Sequence, residues 1–386
     1  MSRNADQELT DLASSGLLRR LRPLDSATGP RVVRDDRNLW NFASNDYLGL
    51  ASDPELAEAF IEGLKNYGAG AAASRLVSGT LAPHRDLESD IAAAKNTEAA
   101  LTFSSGFAVA TGTLPALAGK SDFILLDKLS HASLIDGARL SGATIRVFPH
   151  NDLPKLEKLL TSIRAKNSQA RIIVVTESVF SMDGDLCPLR EIVEMKDRHE
   201  AMLFLDEAHA IGVLGGSGMG LAEQLQLQGR IEFQMGTLSK AAGLSGGYLA
   251  TSAAWRDLFV NRARSFIYST APPPALAHAS RFSVAKIRSA AGASLRARLR
   301  SNIEILSPGH PSPILPRIIG QNEAAVERSR ELECLGFLVP AIRYPTVPRG
   351  TARLRISLSA SHPPEAVEAL KKTLTSTSAT TPPAGH

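Results

Sequence analysis

Six short apolar runs divide the middle of this chain, at 99–103, 123–126, 145–148, 172–176, 202–205 and 247–250, and helix-like segments separate most of them. Continuous apolar runs of this length suit strands buried on both faces. Such strands arise when helices cover both sides of a mostly parallel sheet. The pattern predicts an α/β fold of that kind. Polar segments follow the runs directly. Ligands of open α/β sheets bind at the carboxyl ends of the strands, so chemistry is expected in those segments.

The flanks read differently. Residues from about Asp6 to Arg22 have the spacing of an amphipathic helix, with Leu9, Leu12, Leu17, Leu18 and Leu21 apolar and Pro23 as its stop. A short strand is expected at 40–43. Pro272, Pro273 and Pro274 form a breaker. Beyond it the pattern predicts helices near 275–305 and 322–335, with strands near 314–319, 337–342 and 353–358. The expected organisation is an N-terminal helix and arm over 1–45, a large domain over 46–275, a small α+β domain over 276–374, and a disordered Ser/Thr/Pro-rich tail over 375–386.

Composition excludes several classes. No stretch of 18 apolar residues occurs, so no membrane span is expected, and Met1 to Thr10 lacks the apolar core of a signal peptide. Cys187 and Cys334 stand far apart in no ligand spacing, which suits a reducing, cytoplasmic setting and gives no metal motif. The net charge of +4 suits solubility first and anionic substrates second. Aromatic residues make up 5% of the chain and no dense basic run appears, so nucleic acid is not an expected partner. Gly68 to Ala73 matches G-x-G-x-x-A but follows a helical pattern instead of a strand, and so gives no nicotinamide site.

Five segments carry the candidate chemistry. Thr237-Leu-Ser-Lys240 is followed by Gly243, Gly246 and Gly247. Asp206 ends an apolar run and precedes Glu207 and His209. Ser130-His131-Ala-Ser133 places an imidazole after another run. Gly106 and Phe107 stand where a strand leads into a helix, and backbone N–H groups there can hold a phosphate. Thr176 to Gly184 is a polar turn containing Ser181. Three of them have a plain alternative: a solvated lysine, a helix cap or metal ligand at Asp206, a structural histidine. Taken together in chain order they supply a phosphate cradle, a flat ring cover, an anion for a protonated ring nitrogen and an amine for an imine, which is the outfit of a pyridoxal 5'-phosphate (PLP) site.

On these residues the chain resembles the α-oxoamine synthases, which are fold-type-I PLP enzymes. The likeness runs from about residue 17 to 372. It is carried by Asn45-Asp-Tyr-Leu-Gly-Leu50, Ser74-Arg-Leu-Val-Ser-Gly-Thr80 with His84, Leu129 to Ser133, Thr176 to Gly184, Asp206 to His209 and Thr237 to Lys240. The resemblance implies that Lys240 binds the cofactor and acts as acid and base, that Asp206 pairs with the ring nitrogen and His209 with the phenolic oxygen, and that His131 stacks on the ring. It places Gly106, Phe107 and Thr237 at the phosphate and Ser181 beside the cofactor, with Thr270 reaching a phosphate in a neighbouring subunit, hence a homodimer. Arg19 and Thr346 match substrate-contacting positions, Asn45 lies in the substrate site, and Arg355 holds the amino-acid carboxylate. The stretches 341–348 and 350–355 lean towards the branch that condenses L-alanine with a pimeloyl thioester, carried by coenzyme A or an acyl carrier protein. The glycine acetyltransferase and aminolevulinate branches stand as alternatives. Two departures stand out: Ala71 to Ala73 replace a glycine-rich stretch, and Ala210 replaces a glycine.

Overall fold

The computed structural model describes residues 4–376. The described residues resolve into two compact units, one formed by 46–299 and the other by 4–45 together with 300–376.

The larger unit is built on a seven-stranded sheet. Its strands are β1 (Ala99–Phe103), β2 (Phe123–Asp127), β3 (Thr144–Phe148), β4 (Ile172–Glu177), β5 (Met202–Asp206), β6 (Phe233–Thr237) and β7 (Gly247–Thr251). The spatial order is β1-β7-β6-β5-β4-β2-β3. Five strands run parallel from β3 to β6 across the sheet. β7 is antiparallel to both its neighbours. Every residue of β1, β4, β6 and β7 is buried, as a sheet covered on both faces requires. The edge strand β3 exposes Arg146 and Val147. Helix Gly106–Leu117 closes the core with Val109, Ala110 and Leu114 against Phe204, Phe233 and Leu249. Among the described residues no helix is long and apolar enough to cross a membrane.

β6 was not among the six apolar runs. Gln234 and Gly236 interrupt its apolar character, yet both are suited to their places. The Gln234 amide donates to the Gln228 carbonyl at 2.9 Å, and a Cβ on Gly236 would meet the Tyr248 ring at 2.4 Å.

The smaller unit contains two three-stranded sheets. In one, Arg31–Arg34 pairs antiparallel with Arg37–Asn41, which pairs in parallel with Phe337–Leu338. In the other, Ala352–Ser357 lies between Ile314–Gly320 and Ala341–Ile342, antiparallel to both. The single strand expected over 337–342 is thus two short strands in different sheets, separated by Val339 and Pro340.

Four boundaries differ from expectation. The first helix is Ala5–Ser14 and stops well before Arg22, because Gly16 takes a left-handed φ of 65° and the Leu17 and Leu18 N–H groups turn back to the Leu12 carbonyl. The arm over 1–45 is not a separate piece, since its strands pair with 337–338. The proline breaker leads into helix Pro274–Arg288, which packs on helices Pro54–Tyr67 and Ala82–Lys95 and so belongs to the larger unit. At the other end, Thr375 and Ser376 complete helix Pro364–Ser376, and the rest of the expected tail lies outside the described residues.

Candidate active site

Asp206 is the last residue of β5 and is buried. The Ala208 N–H donates to its Oδ1 at 2.8 Å. Burial raises its pKa, and the positive field of Lys240, the Ala208 bond and the field of His131 pull it back. Those opposing effects place an amine and an imidazole in the electrostatic neighbourhood of one buried carboxyl group.

Lys240 lies in the loop between β6 and β7. Backbone bonds close that loop: Leu238 N–H donates to the Gly246 carbonyl at 3.0 Å, Leu244 N–H to the Leu238 carbonyl at 3.0 Å, and Gly243 N–H to the Lys240 carbonyl at 2.8 Å. Gly243 has a φ of 72°, and a Cβ there would stand 2.4 Å from the Ala51 nitrogen, so only glycine fits. Lys240 Nζ lies 2.8 Å from His209 Nε2. The other ring nitrogen, Nδ1, is 2.6 Å from the hydroxyl of the fully buried Tyr47.

His131 caps helix Ala132–Ser141, accepting the Ser133 N–H on Nδ1 at 3.2 Å. Its own N–H donates to Glu177 Oε1 at 2.5 Å. His131 as a residue is exposed. The surrounding protein nevertheless desolvates it enough to lower its pKa, with the Lys240 charge adding and Asp206 opposing. Glu177 ends β4 beside Asp206 in register. Burial and the Asp206 charge hold its carboxyl well above the ordinary range. Asp206 is raised as well, but the charge of Lys240 and the Ala208 N–H oppose its burial.

Gly106 opens helix Gly106–Leu117, capped by Ser105, which accepts the Ala108 N–H at 3.1 Å. The first N–H groups of a helix have no carbonyl one turn earlier to bond, so those of Gly106 and Phe107 suit an anion. Thr237 comes close: a Cβ built on Gly106 would stand 3.6 Å from the Thr237 Cβ. The Thr237 hydroxyl donates to the Gly246 carbonyl at 2.8 Å. Ser181 is buried in the turn after β4. Thr270 is exposed and bridges Ser74, near the exposed side chains of Leu76, Val77 and Tyr268.

The remaining candidates lie in the smaller unit, in two pairs. Arg355 is buried and donates from Nη1 to Asn45 Oδ1 at 3.0 Å and to the Ser357 hydroxyl at 2.7 Å. Arg19 donates from Nη2 to the Thr346 hydroxyl at 3.1 Å. That second pair lines a cavity of about 620 Å³, whose wall also includes Arg20, Arg330 and Arg343. Arg343 donates to the Leu18 carbonyl at 2.7 Å and so fixes the backbone beside Arg19.

Two further participants had no assigned role in the sequence reading. Tyr47 sits inside the Asn45 to Leu50 segment, where nothing marked its hydroxyl. Glu177 ends an apolar run in an acid, the same signal that singled out Asp206, but it was read only as part of a polar turn. By contrast Arg75 and His84, both in segments that carry the resemblance, are bracing. Arg75 pairs with Glu88 at 2.9 Å, and His84 bonds the Leu81 N–H and the Pro272 carbonyl.

A phosphorylated pyridine aldehyde asks for an amine, an anion at its ring nitrogen, a partner for its phenolic oxygen, a flat cover and a phosphate cradle. Lys240, Asp206, His209, His131 and the Gly106–Phe107–Thr237 group answer those needs, all within the larger unit. The buried carboxyl of Asp206, whose burial is opposed by the positive charge of Lys240 and the Ala208 N–H, is the feature that fits a pyridinium best.

Comparisons with known proteins agree. The profile of the aminotransferase class I and II family matches residues 37–374. An 8-amino-7-oxononanoate synthase from Geobacter sulfurreducens is 45% identical over 94% of both chains. A serine palmitoyltransferase from S. paucimobilis, solved with PLP and myriocin bound, superposes with a TM-score of 0.90 at 30% identity, covering 96% of this chain and 95% of that one. An 8-amino-7-oxononanoate synthase from Francisella tularensis superposes with a TM-score of 0.74 at 27% identity, covering 88% and 99%. With a fold-type-I PLP architecture and near full-length identity of this order, the chain belongs to the aminotransferase class I and II family, among its PLP-dependent 8-amino-7-oxononanoate synthases.

Proposed function

We propose that the chain condenses L-alanine with a pimeloyl thioester, with loss of carbon dioxide, to form 8-amino-7-oxononanoate, and that the residues assembled above carry the reaction. The observation that supports this most directly is the Lys240–His209 contact of 2.8 Å beside a buried Asp206. PLP, when bound, delocalises the charge left on the alanine Cα after its proton is removed. Lys240 would hold the cofactor through Nζ, and its amine would serve as the base for the Cα proton. Asp206 keeps a proton at the ring nitrogen. His131 covers the ring, held by Glu177. The Gly106 and Phe107 N–H groups bind the phosphate with Thr237 beside them, and Ser181 lies at the cofactor.

Arg355 holds the alanine carboxylate with its planar fork, which Asn45 and Ser357 orient. Arg19 and Thr346 meet the far carboxylate of the acyl chain, in a cavity whose positive lining suits it. The carrier is coenzyme A or an acyl carrier protein, and the setting is the cytoplasm. Exposed Thr270, with exposed Leu76, Val77 and Tyr268 near it, supports a homodimer in which that face is covered.

Mass spectrometry of the product from L-alanine and pimeloyl-CoA tests the function. 8-Amino-7-oxononanoate is the expected product. Faster turnover of glycine with acetyl-CoA or succinyl-CoA would move the chain to a sister branch.

A further inference from the structure

We propose that His150 is a positioning residue for the cofactor site: it latches the loop that presents His131 to the turn that presents Ser181. The inference rests on reading those two residues as cofactor contacts.

His150 follows β3 at the sheet edge, outside every segment that carried the chemistry in the sequence. Its Nδ1 lies 3.1 Å from Asp127 Oδ1 and its Nε2 lies 2.7 Å from Asp185 Oδ2. A neutral imidazole has one N–H, yet here both nitrogens face carboxylate oxygens. Only the doubly protonated cation satisfies both. Each carboxylate belongs to a different loop. Asp127 ends β2, is almost fully buried, and also accepts the Leu129 N–H at 2.8 Å, which shapes the turn leading to His131. Asp185 lies in the turn after β4. There the Phe180 N–H donates to the Asp185 carbonyl at 3.0 Å, the Gly184 N–H donates to the Phe180 carbonyl at 2.8 Å, and Val179 bridges Leu186. Ser181 sits in that turn. Phe180 stands edge-on to the His150 ring with centroids 4.3 Å apart.

Asn151 repeats the connection. Its N–H donates to Asp127 Oδ2 at 2.9 Å, and its Nδ2 donates to Asp185 Oδ2 at 3.1 Å and to the Leu186 carbonyl at 3.2 Å. The two carboxylates are the only charged groups hydrogen-bonded to the imidazole among the described residues. Burial alone would lower the His150 pKa, but the two acids raise it to about 10. The cation is therefore retained throughout the neutral range. A half-buried ion triad contributes less stability than its contacts suggest, because desolvation offsets the attraction. What it does supply is a defined spacing between two loops, each four residues from a cofactor contact.

The test uses His150→Gln, which keeps size and one hydrogen bond but removes the charge, and Asp185→Asn, which releases only the more exposed end. Both are compared with wild type by titration of apo-protein with PLP and by visible circular dichroism of the bound cofactor. The expected result for His150→Gln at pH 7.5 is a PLP Kd raised about tenfold, equivalent to about 1.4 kcal/mol, and a weakened visible dichroic band. The KM for pimeloyl-CoA should stay within about twofold. Asp185→Asn should move the same readouts in the same direction, and it stands as the test if His150→Gln fails to fold. A lower melting temperature with PLP Kd and dichroism both unchanged would make the triad purely structural and overturn the proposal. Failure of wild type itself to bind PLP would instead overturn the reading of the site.

Discussion

Lys240 and His209 meet at 2.8 Å through Nζ and Nε2, and the far side of the imidazole is held by the Tyr47 hydroxyl at 2.6 Å. The ring is thus aimed at the amine from behind by a phenol with no exposure to water. Tyr47→Phe keeps the aromatic packing and removes the hydroxyl. Leaving a buried imidazole nitrogen without its partner costs about 1–3 kcal/mol. PLP affinity should fall about tenfold while the fold is retained, as fluorescence titration and far-UV circular dichroism would show. Lys240→Ala should retain noncovalent PLP but lose borohydride-fixable label. Label at any other lysine would relocate the site.

Asp206 and Glu177 end adjacent strands in register, and burial raises both carboxyls. Asp206→Asn replaces the anion with an amide that cannot keep a ring nitrogen protonated. The fold should survive, because the Ala208 N–H can still be accepted by an amide oxygen. Deuterium exchange at the Cα of L-alanine, without an acyl donor, isolates proton removal. The exchange rate should fall by about 10²-fold or more. A rate near wild type would remove Asp206 from the mechanism.

His150 also predicts a pH dependence of stability. Its folded pKa of about 10 exceeds the ordinary value of 6.5. A base whose pKa is raised by folding stabilises the native state fully below its unfolded pKa and loses that contribution as pH rises through the folded one. The difference in melting temperature between wild type and His150→Gln should be constant below about pH 6.5 and shrink steadily towards pH 10. A difference independent of pH over this window would show that the imidazole is not cationic.

Arg19 tests the acyl end. Arg19→Gln removes the guanidinium that donates to Thr346 in the cavity of the smaller unit. The KM for pimeloyl-CoA should rise about tenfold or more, the magnitude of a lost charge-assisted hydrogen bond. The KM for L-alanine and the absorbance of bound PLP should not change. Equal losses with acetyl-CoA would argue against a carboxylate contact.

Ala72 adopts a left-handed φ of 56° within the alanine run that replaces a glycine-rich stretch. An L-residue with a Cβ is disfavoured there by about 1–2 kcal/mol. Ala72→Gly relieves that strain, at the expense of greater unfolded-chain entropy. The net expectation is stabilisation of up to about 1 kcal/mol, read as a higher denaturation midpoint. Clear destabilisation would show that the Ala72 methyl makes packing contacts that outweigh the strain.

Much of the sheet was legible because its strands are buried on both faces. Six of the seven strands announce themselves as continuous apolar runs, and Asp206 at the end of β5 follows from the same pattern, whereas Glu177 at the end of β4 was read only as part of a turn. β6 escaped because a buried glutamine and a glycine interrupt it, and their reasons lie in partners distant in sequence, Gln228 and Tyr248. The residues around Lys240 were legible as a set, since each motif narrowed the reading of the others. Tyr47 and His150 were not, because Tyr47 meets His209 162 positions away and His150 meets Asp127 and Asp185 23 and 35 positions away, and such bonds leave no local signature. The smaller unit was misdivided for a related reason. Proline marks where a helix can begin, but which body that helix packs against depends on its apolar face.

The closed loop between β6 and β7 pins the main chain on both sides of Lys240. Any excursion of its amine must then come from rotation about the side-chain bonds, with the peptide held still. The search for a reactive arrangement is reduced to a few torsions, and the amine returns to the same small volume after each turnover. Lengthening or loosening the stretch from Leu238 to Gly246 would enlarge that volume without altering a single chemical group in the site.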